Sequence, residues 1–208
     1  RGEAAKALEA NAARRSPKPQ FIVASSMSTH SPWDFRFAPD ILRETDERRW
    51  NADAEFDEYL WRLVVAKRDR DAFRARLAAS MPGRAILHVE YGDHQPALAR
   101  LPLEGAENLA NAGSDWQLDP ASKAFETYYR IDGQNFTPAP RAREYPIVEI
   151  AHLATLTVMA AGLPLDPVYA RRAKLLEQCD GLYATCADRA AVLTFQRWLV
   201  DSDWVAQR

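Results

Sequence analysis

The sequence predicts an α/β fold, with helices flanking a sheet in a layered α/β/α arrangement. Three observations carry this. Short apolar, strand-like runs alternate with segments of helical periodicity. Turn-forming and polar residues follow the strand-like runs, where loops leave a sheet. With 208 residues, 47% of them hydrophobic, the chain can fill a single core.

Taken in order, residues 1–15 read as a helix of Ala, Leu, Glu and Arg, stopped at "SPKPQ", where Pro17 interrupts the hydrogen-bond ladder. Phe21 to Ser25, in "FIVASSM", read as a buried strand that delivers "STHSPWDF" to a sheet edge. Between Asn51 and Ala79, the residues Phe56, Leu60, Leu63, Val64, Phe73 and Leu77 recur at helical spacing, with a break expected near Arg68 to Asp71. "MPGR" is a turn, and "AILHVEY" is the clearest strand. From Gln95 to Pro120 the Pro, Gly, Asn and Ser content predicts a long surface excursion. "FETYYRI", Phe125 to Ile131, reads as a third strand. "YPIVEIAHLATLTVMAAGLPLD" reads as a turn into an apolar helix ended by Gly162 and Pro164. Tyr169 to Leu176 and Asp188 to Val200 read as two surface helices, and no internal repeat is present.

The formal net charge of −2 lacks the basic footprint of a general nucleic-acid binder. No apolar run of about 18 residues is present, and the first residues lack the apolar core of a secretory signal. Cys179 and Cys186 lie seven apart in "QCDGLYATC". On one continuous helix they would be separated by roughly 10 Å along the axis, too far to bridge. A bend at Gly181 would close that gap, so both states stay open, and a disulfide would imply an oxidising compartment.

The chemistry-bearing stretch is "HVEYGDHQP", His88 to Pro96, where a strand runs into Gly92, Asp93 and His94. Gly92 permits an unusual backbone angle and close approach, so that both following side chains can turn to one point. A carboxylate and an imidazole together suit Zn²⁺ or Mn²⁺. The plainer alternative is an Asp that caps the turn beside an exposed His. His30 occupies a similar loop, "SSMSTHSPWDF". His88 is expected to be structural, and His152, in the first turn of the apolar helix, to be a hydrogen-bonded or surface histidine and not a ligand.

In order and spacing, "ASSMSTHSPWDF", "FDEYLWRLV", "AILHVEYGDHQP", "FETYYRI" and "YPIVEIAHLATLTVMAAGL" resemble the C-terminal half of the sulfatase-like domain of the alkaline phosphatase superfamily. The nearest branch holds lipoteichoic acid synthases and related phosphoethanolamine and phosphoglycerol transferases, and the resemblance covers most of residues 20–165. It implies that Asp93 and His94 are metal ligands, with Zn or Mn the expected ion. It implies that His30, in the "TH.P" loop, contacts the phosphoryl group or its leaving oxygen. Trp33 either lines the headgroup pocket or packs in the core. His30, Asp93 and His94 are expected to converge where parallel strands end at one sheet edge.

The family's upstream acidic ligand and its Thr, Ser or modified Cys nucleophile are not recognisable. Residues 1–208 are therefore expected to be the C-terminal portion of such a domain, inactive alone and holding metal weakly or not at all. The implied parent is a membrane-anchored enzyme at the periplasmic or extracytoplasmic face of a bacterial membrane. It would transfer a phosphoryl-linked headgroup from a phospholipid to a cell-envelope acceptor. Expected partners are that headgroup and the missing N-terminal half or a second copy, with no nucleic acid. The rivals are a sulfatase or phosphodiesterase, and a non-catalytic headgroup-binding module.

Overall fold

Asp53 starts the longest element: its carboxylate accepts the amides of Glu55 and Phe56, satisfying two donors at the open end of helix α1, Ala54–Ser80. The computed structural model describes residues 19–37, 53–99, 102–103, 122–141, 144–202 and 204. The helix expected over 1–15 and most of the excursion expected over 95–120 lie outside them. The chain divides into two compact units, Arg1–Arg84 with Pro96–Leu103, and Ala85–Gln95 with Glu104–Arg208.

In the first unit α1 runs unbroken through Arg68 to Asp71, where a break was expected. That stretch contains neither Gly nor Pro, and Lys67 bridges Asp71 at 2.7 Å across one turn. The buried face of α1 also departs from the apolar pattern. It carries Glu58, Tyr59, Trp61, Arg62 and Val65, while Leu63 and Val64 face outward. Phe21 to Ser25 form no strand, and Phe21 and Val23 are 86% and 74% exposed. An apolar run becomes a strand only by pairing with another, and none among the described residues pairs with it.

In the second unit β1, Ile86–Tyr91, pairs antiparallel with β2, Tyr129–Gln134. Among the described residues this pair is the sheet, and the parallel strands expected do not occur among them. β2 begins later than "FETYYRI" suggests, because Ser122 caps a 3-10 turn over Lys123–Phe125 and takes Phe125 out of the strand. In register, Leu87 faces Gly133, Val89 faces Ile131 and Tyr91 faces Tyr129, which gathers the apolar residues of both strands on one side except Ile86, which pairs with Gln134 on the other. Tyr129 and Ile131 pack on the buried Tyr145, Leu156 and Leu176. His88, Glu90, Arg130, Asp132 and Gln134 share the other side.

Helix α2, Ile150–Ala160, stops as the sequence predicts. Gly162 takes φ +66, and the amides of Gly162 and Leu163 bond back to Met159 and Val158. Helix α3, Pro167–Gln178, opens with Asp166 bonded to the Tyr169 amide and Pro167 in its first turn. Helix α4, Arg189–Asp201, is capped by Asp188. The ends of α3 and α4 are joined by a disulfide between Cys179 and Cys186, their Cα atoms 4.4 Å apart. Both sulfurs sit in a core with Leu175, Val192 and Phe195. The bridge forms because α3 has already ended: Asp180 and Gly181 take φ +51 and +84 and turn the chain back.

Candidate functional site

Two loops, one in each unit, carry the residues that the sequence singles out. In the second unit β1 ends at Tyr91, and the Gly92 amide donates to the Tyr128 carbonyl at 3.0 Å. A Cβ at residue 92 would overlap the Thr127 hydroxyl, so glycine serves close approach. It does not serve an unusual backbone angle: the glycines with positive φ among the described residues are Gly162 and Gly181. Gln95 closes the turn by donating its side-chain amide to the Glu126 carbonyl at 2.8 Å. The turn is thus pinned at both ends to residues 126–128.

Between those pins Asp93 and His94 stand in solvent, with side chains 79% and 68% exposed. Asp93 Oδ1 accepts the His94 amide at 3.0 Å, and His94 Nδ1 lies 3.1 Å from the Gln95 carbonyl. A carbonyl accepts only, so the Nδ1 proton donates to it and the Nε2 lone pair remains. That nitrogen lies 3.5 Å from Asp93 Oδ2, the oxygen not taken by the backbone. A tetrahedral ion with bonds of about 2.0–2.2 Å sets its ligand atoms roughly 3.3–3.6 Å apart. The separation of this oxygen and nitrogen is thus compatible with a shared divalent ion. The carbonyl behind the imidazole is the outer support that metal-bound histidines commonly have. No group of three or more His, Cys, Asp or Glu side chains suited to a metal occurs among the described residues, so the pair alone supplies two ligands.

His30 and Trp33 belong to the first unit, and helix α1 organises their loop. Arg62, 2% exposed, donates Nε to Glu58 Oε1 at 3.0 Å, Nη1 to the His30 carbonyl at 2.9 Å and Nη2 to the Phe35 carbonyl at 3.0 Å. Glu58 in turn accepts the Phe37 amide at 2.8 Å. One buried ion pair therefore holds residues 30, 35 and 37, and the guanidinium also lies over the Phe35 ring at 4.9 Å. His30 remains exposed, with Nδ1 2.8 Å from the Ser31 carbonyl, an arrangement that leaves Nε2 for an incoming group. Trp33 is half-buried, its indole N–H on the Thr29 carbonyl at 3.1 Å and its ring edge-on to Tyr59 at 6.0 Å. Burial raises the Tyr59 hydroxyl above its ordinary value, so the ring against Trp33 stays neutral.

Sequence reasoning passed over Glu58 and Arg62, although a Glu and an Arg four apart on a helix are a recognisable pair. It also passed over Thr127 and Gln95, which shape the Asp93 turn. His88 is structural: its Nε2 lies 3.2 Å from Gln134 Oε1 across the hairpin. His152 corrects an expectation. It is fully buried and neither ring nitrogen has a hydrogen-bond partner. Burial, with the Arg172 charge adding to it, pushes its pKa down to about 4, so the ring is neutral at ordinary pH. No protein-family model matches this chain, and neither a curated protein nor a solved structure matches it.

Proposed function

We propose that Asp93 and His94 are two ligands of a divalent metal centre in a sulfatase-like enzyme of the alkaline phosphatase superfamily. In this reading the enzyme transfers a phosphoglycerol or phosphoethanolamine headgroup from a lipid to a cell-envelope acceptor. The carrying observation is the 3.5 Å separation of His94 Nε2 from Asp93 Oδ2, with the other imidazole nitrogen and the other carboxylate oxygen each tied to the backbone. The remaining ligands, the nucleophile and any membrane anchor would lie beyond the described residues, in a layered domain to which this chain contributes a C-terminal portion or in a partner copy.

A Zn or Mn ion held there supplies Lewis acidity and offsets phosphoryl charge. In this reading His30, as an imidazolium with Nδ1–H on the Ser31 carbonyl, would donate its Nε2 proton to the leaving oxygen, Arg62 keeps the His30 loop in shape, and Trp33 would flank the headgroup. The Cys179–Cys186 disulfide suits the extracytoplasmic placement this reading requires. Hydrolysis by a sulfatase or phosphodiesterase uses the same residues and differs in the acceptor, which would be water.

The test is titration of the 208-residue chain with Mn²⁺, followed by NMR. Paramagnetic broadening should be selective for the His94 ring over His88 and His152, weak in affinity because two ligands do not close a site, and lost in Asp93→Asn. Broadening that spares His94, or that survives Asp93→Asn, would leave Asp93 as a turn cap and remove the basis for the metal centre.

A further inference from the structure

The Cys179–Cys186 loop rests on the start of α2, on Arg189 of α4, which donates Nη1 to the Tyr183 carbonyl at 3.1 Å, and on the core between α3 and α4, against which Tyr183 packs. The Glu149 amide, at the cap of α2, donates to the Gly181 carbonyl at 2.9 Å, and the Glu149 carboxylate accepts the Ala184 amide at 2.8 Å. Gly181 lies so close to Ile147 that a Cβ would stand 2.8 Å from its carbonyl oxygen. Tyr183 lays its ring on His152, centroids 4.3 Å apart. The groups shown to bear on His152 are the Tyr183 ring from the loop, the Arg172 charge from α3, and the Glu149 carbonyl, which accepts the His152 amide at 2.9 Å. Neither the Tyr183 hydroxyl, the Thr155 hydroxyl nor Arg172 Nε has a hydrogen-bond partner. A fully buried imidazole without partners gains nothing from its polar atoms, so it stays dry only while something holds the cover down.

We propose that the Cys179–Cys186 loop is a thiol-sensitive latch: closed, it seals His152 under Tyr183; opened by a dithiol, it exposes His152 and the cap of α2 while the helices stay folded. In the step, one thiolate of the reductant attacks a bridge sulfur and the other cysteine leaves as a thiolate. The second reductant thiol then resolves the mixed disulfide. Two electrons pass to the bridge, Cys179 and Cys186 end as thiols, and the reductant ends as a disulfide.

Two features make this a latch rather than a general staple. Cys179 and Cys186 pack with Leu175, Val192 and Phe195. Reduced cysteines are small apolar side chains that can stay in such a core, so α3 and α4 can remain packed. The loop residues Leu182 to Ala184, by contrast, sit outside the helices and are held by single contacts, Ala184 to Glu149 and Tyr183 to Arg189 and His152, which the closed ring keeps in register. Both cysteines are buried, so reduction must wait for the loop to lift and should be slow.

The experiment adds dithiothreitol to the intact chain and follows three readouts. They are the His152 ring titration by NMR, hydrogen exchange at the Ala184 amide, and helical circular dichroism. Reduction should move the His152 pKa from about 4 toward 6.5 and accelerate Ala184 exchange, with helical signal retained. The Cys179→Ser/Cys186→Ser double variant should show the same state without reductant. Tyr183→Ala should expose His152 with the bridge intact. The latch is overturned if reduced protein keeps His152 near 4 with Ala184 protected. It is equally overturned if helical signal is lost together with His152 burial, since the bridge would then be holding the fold as a whole.

Discussion

Arg62 Nε lies 3.0 Å from Glu58 Oε1 on the buried face of α1, and between them the two side chains bind three backbone groups of the His30–Phe37 loop. The pair belongs to the fold and to the candidate site at once. Its charges compensate each other and three backbone groups of the loop add hydrogen bonds to them, which helps a buried ion pair to be tolerated.

Removing one partner strands the other. Arg62→Met is expected to destabilise the protein by about 3–5 kcal/mol, and Glu58→Met similarly, because each leaves an uncompensated buried charge. The Glu58→Met/Arg62→Met double variant should cost less than the sum of the two. Urea denaturation of all four proteins checks this, and strict additivity would mean that the two side chains act independently.

A second expectation follows from His152. Its folded pKa is about 4 and its unfolded value about 6.5, so between those values the unfolded chain binds the proton and the folded one does not. The contribution to stability is therefore fully present above about pH 6.5 and is lost as pH falls through the window toward 4. Relative to His152→Leu, the wild-type protein should lose about 3 kcal/mol across that window. Denaturation curves at pH 7, 5.5 and 4 decide it, and a wild type that tracks the variant at every pH would refute the burial of a neutral ring.

Some of this architecture can be read from the sequence and some cannot, for identifiable reasons. Helix α2 ends where Gly162 permits a left-handed turn, and α3 begins where Asp166 and Pro167 stand together; both signals are local. β1 is legible because Leu87, Val89 and Tyr91 alternate with His88 and Glu90. Phe21 to Ser25 look like a strand by the same apolar criterion, but strand formation depends on a partner that local sequence does not name. At the candidate site Gly92, Asp93 and His94 stand out by residue type. What orients them is Glu126, Thr127 and Tyr128, with Gln95 reaching 31 positions along the chain, a relationship only the hairpin register creates. The Glu58–Arg62 pair was hidden because a search for apolar spacing assigns charged residues to the solvent side.

The contact at Gly92 gives a test of that register. Gly92→Ala places a methyl group on the Thr127 hydroxyl and should destabilise the protein by roughly 1–3 kcal/mol while displacing the Asp93–His94 turn. Adding Thr127→Ala removes the overlapping oxygen and should recover a large part of the loss. Thermal denaturation reads the first effect and the double variant the second. A Gly92→Ala protein of unchanged stability would mean that the turn does not approach residue 127.

Gly162 and Gly181 separate two costs that usually arrive together. Both take positive φ, +66 and +84, where an L-residue pays for crowding between its Cβ and its own backbone. At Gly162 nothing else lies within 4 Å of a built Cβ, so Gly162→Ala should cost about 1–2 kcal/mol from that source alone. At Gly181 the same methyl group would also meet the Ile147 carbonyl oxygen at 2.8 Å, and that oxygen is fixed in the backbone leading to α2. Relief requires the loop to lift, which lengthens the Glu149 amide to Gly181 carbonyl bond of 2.9 Å and loosens Tyr183 from His152. Gly181→Ala should therefore be the more destabilising of the two by a further 1–3 kcal/mol or so. It should also raise the His152 pKa above 4, whereas Gly162→Ala should leave that titration where it is. Chemical denaturation and NMR titration of the two variants side by side make the comparison. Equal destabilisation with no change at His152 would mean that the disulfide loop does not rest on residues 147–149.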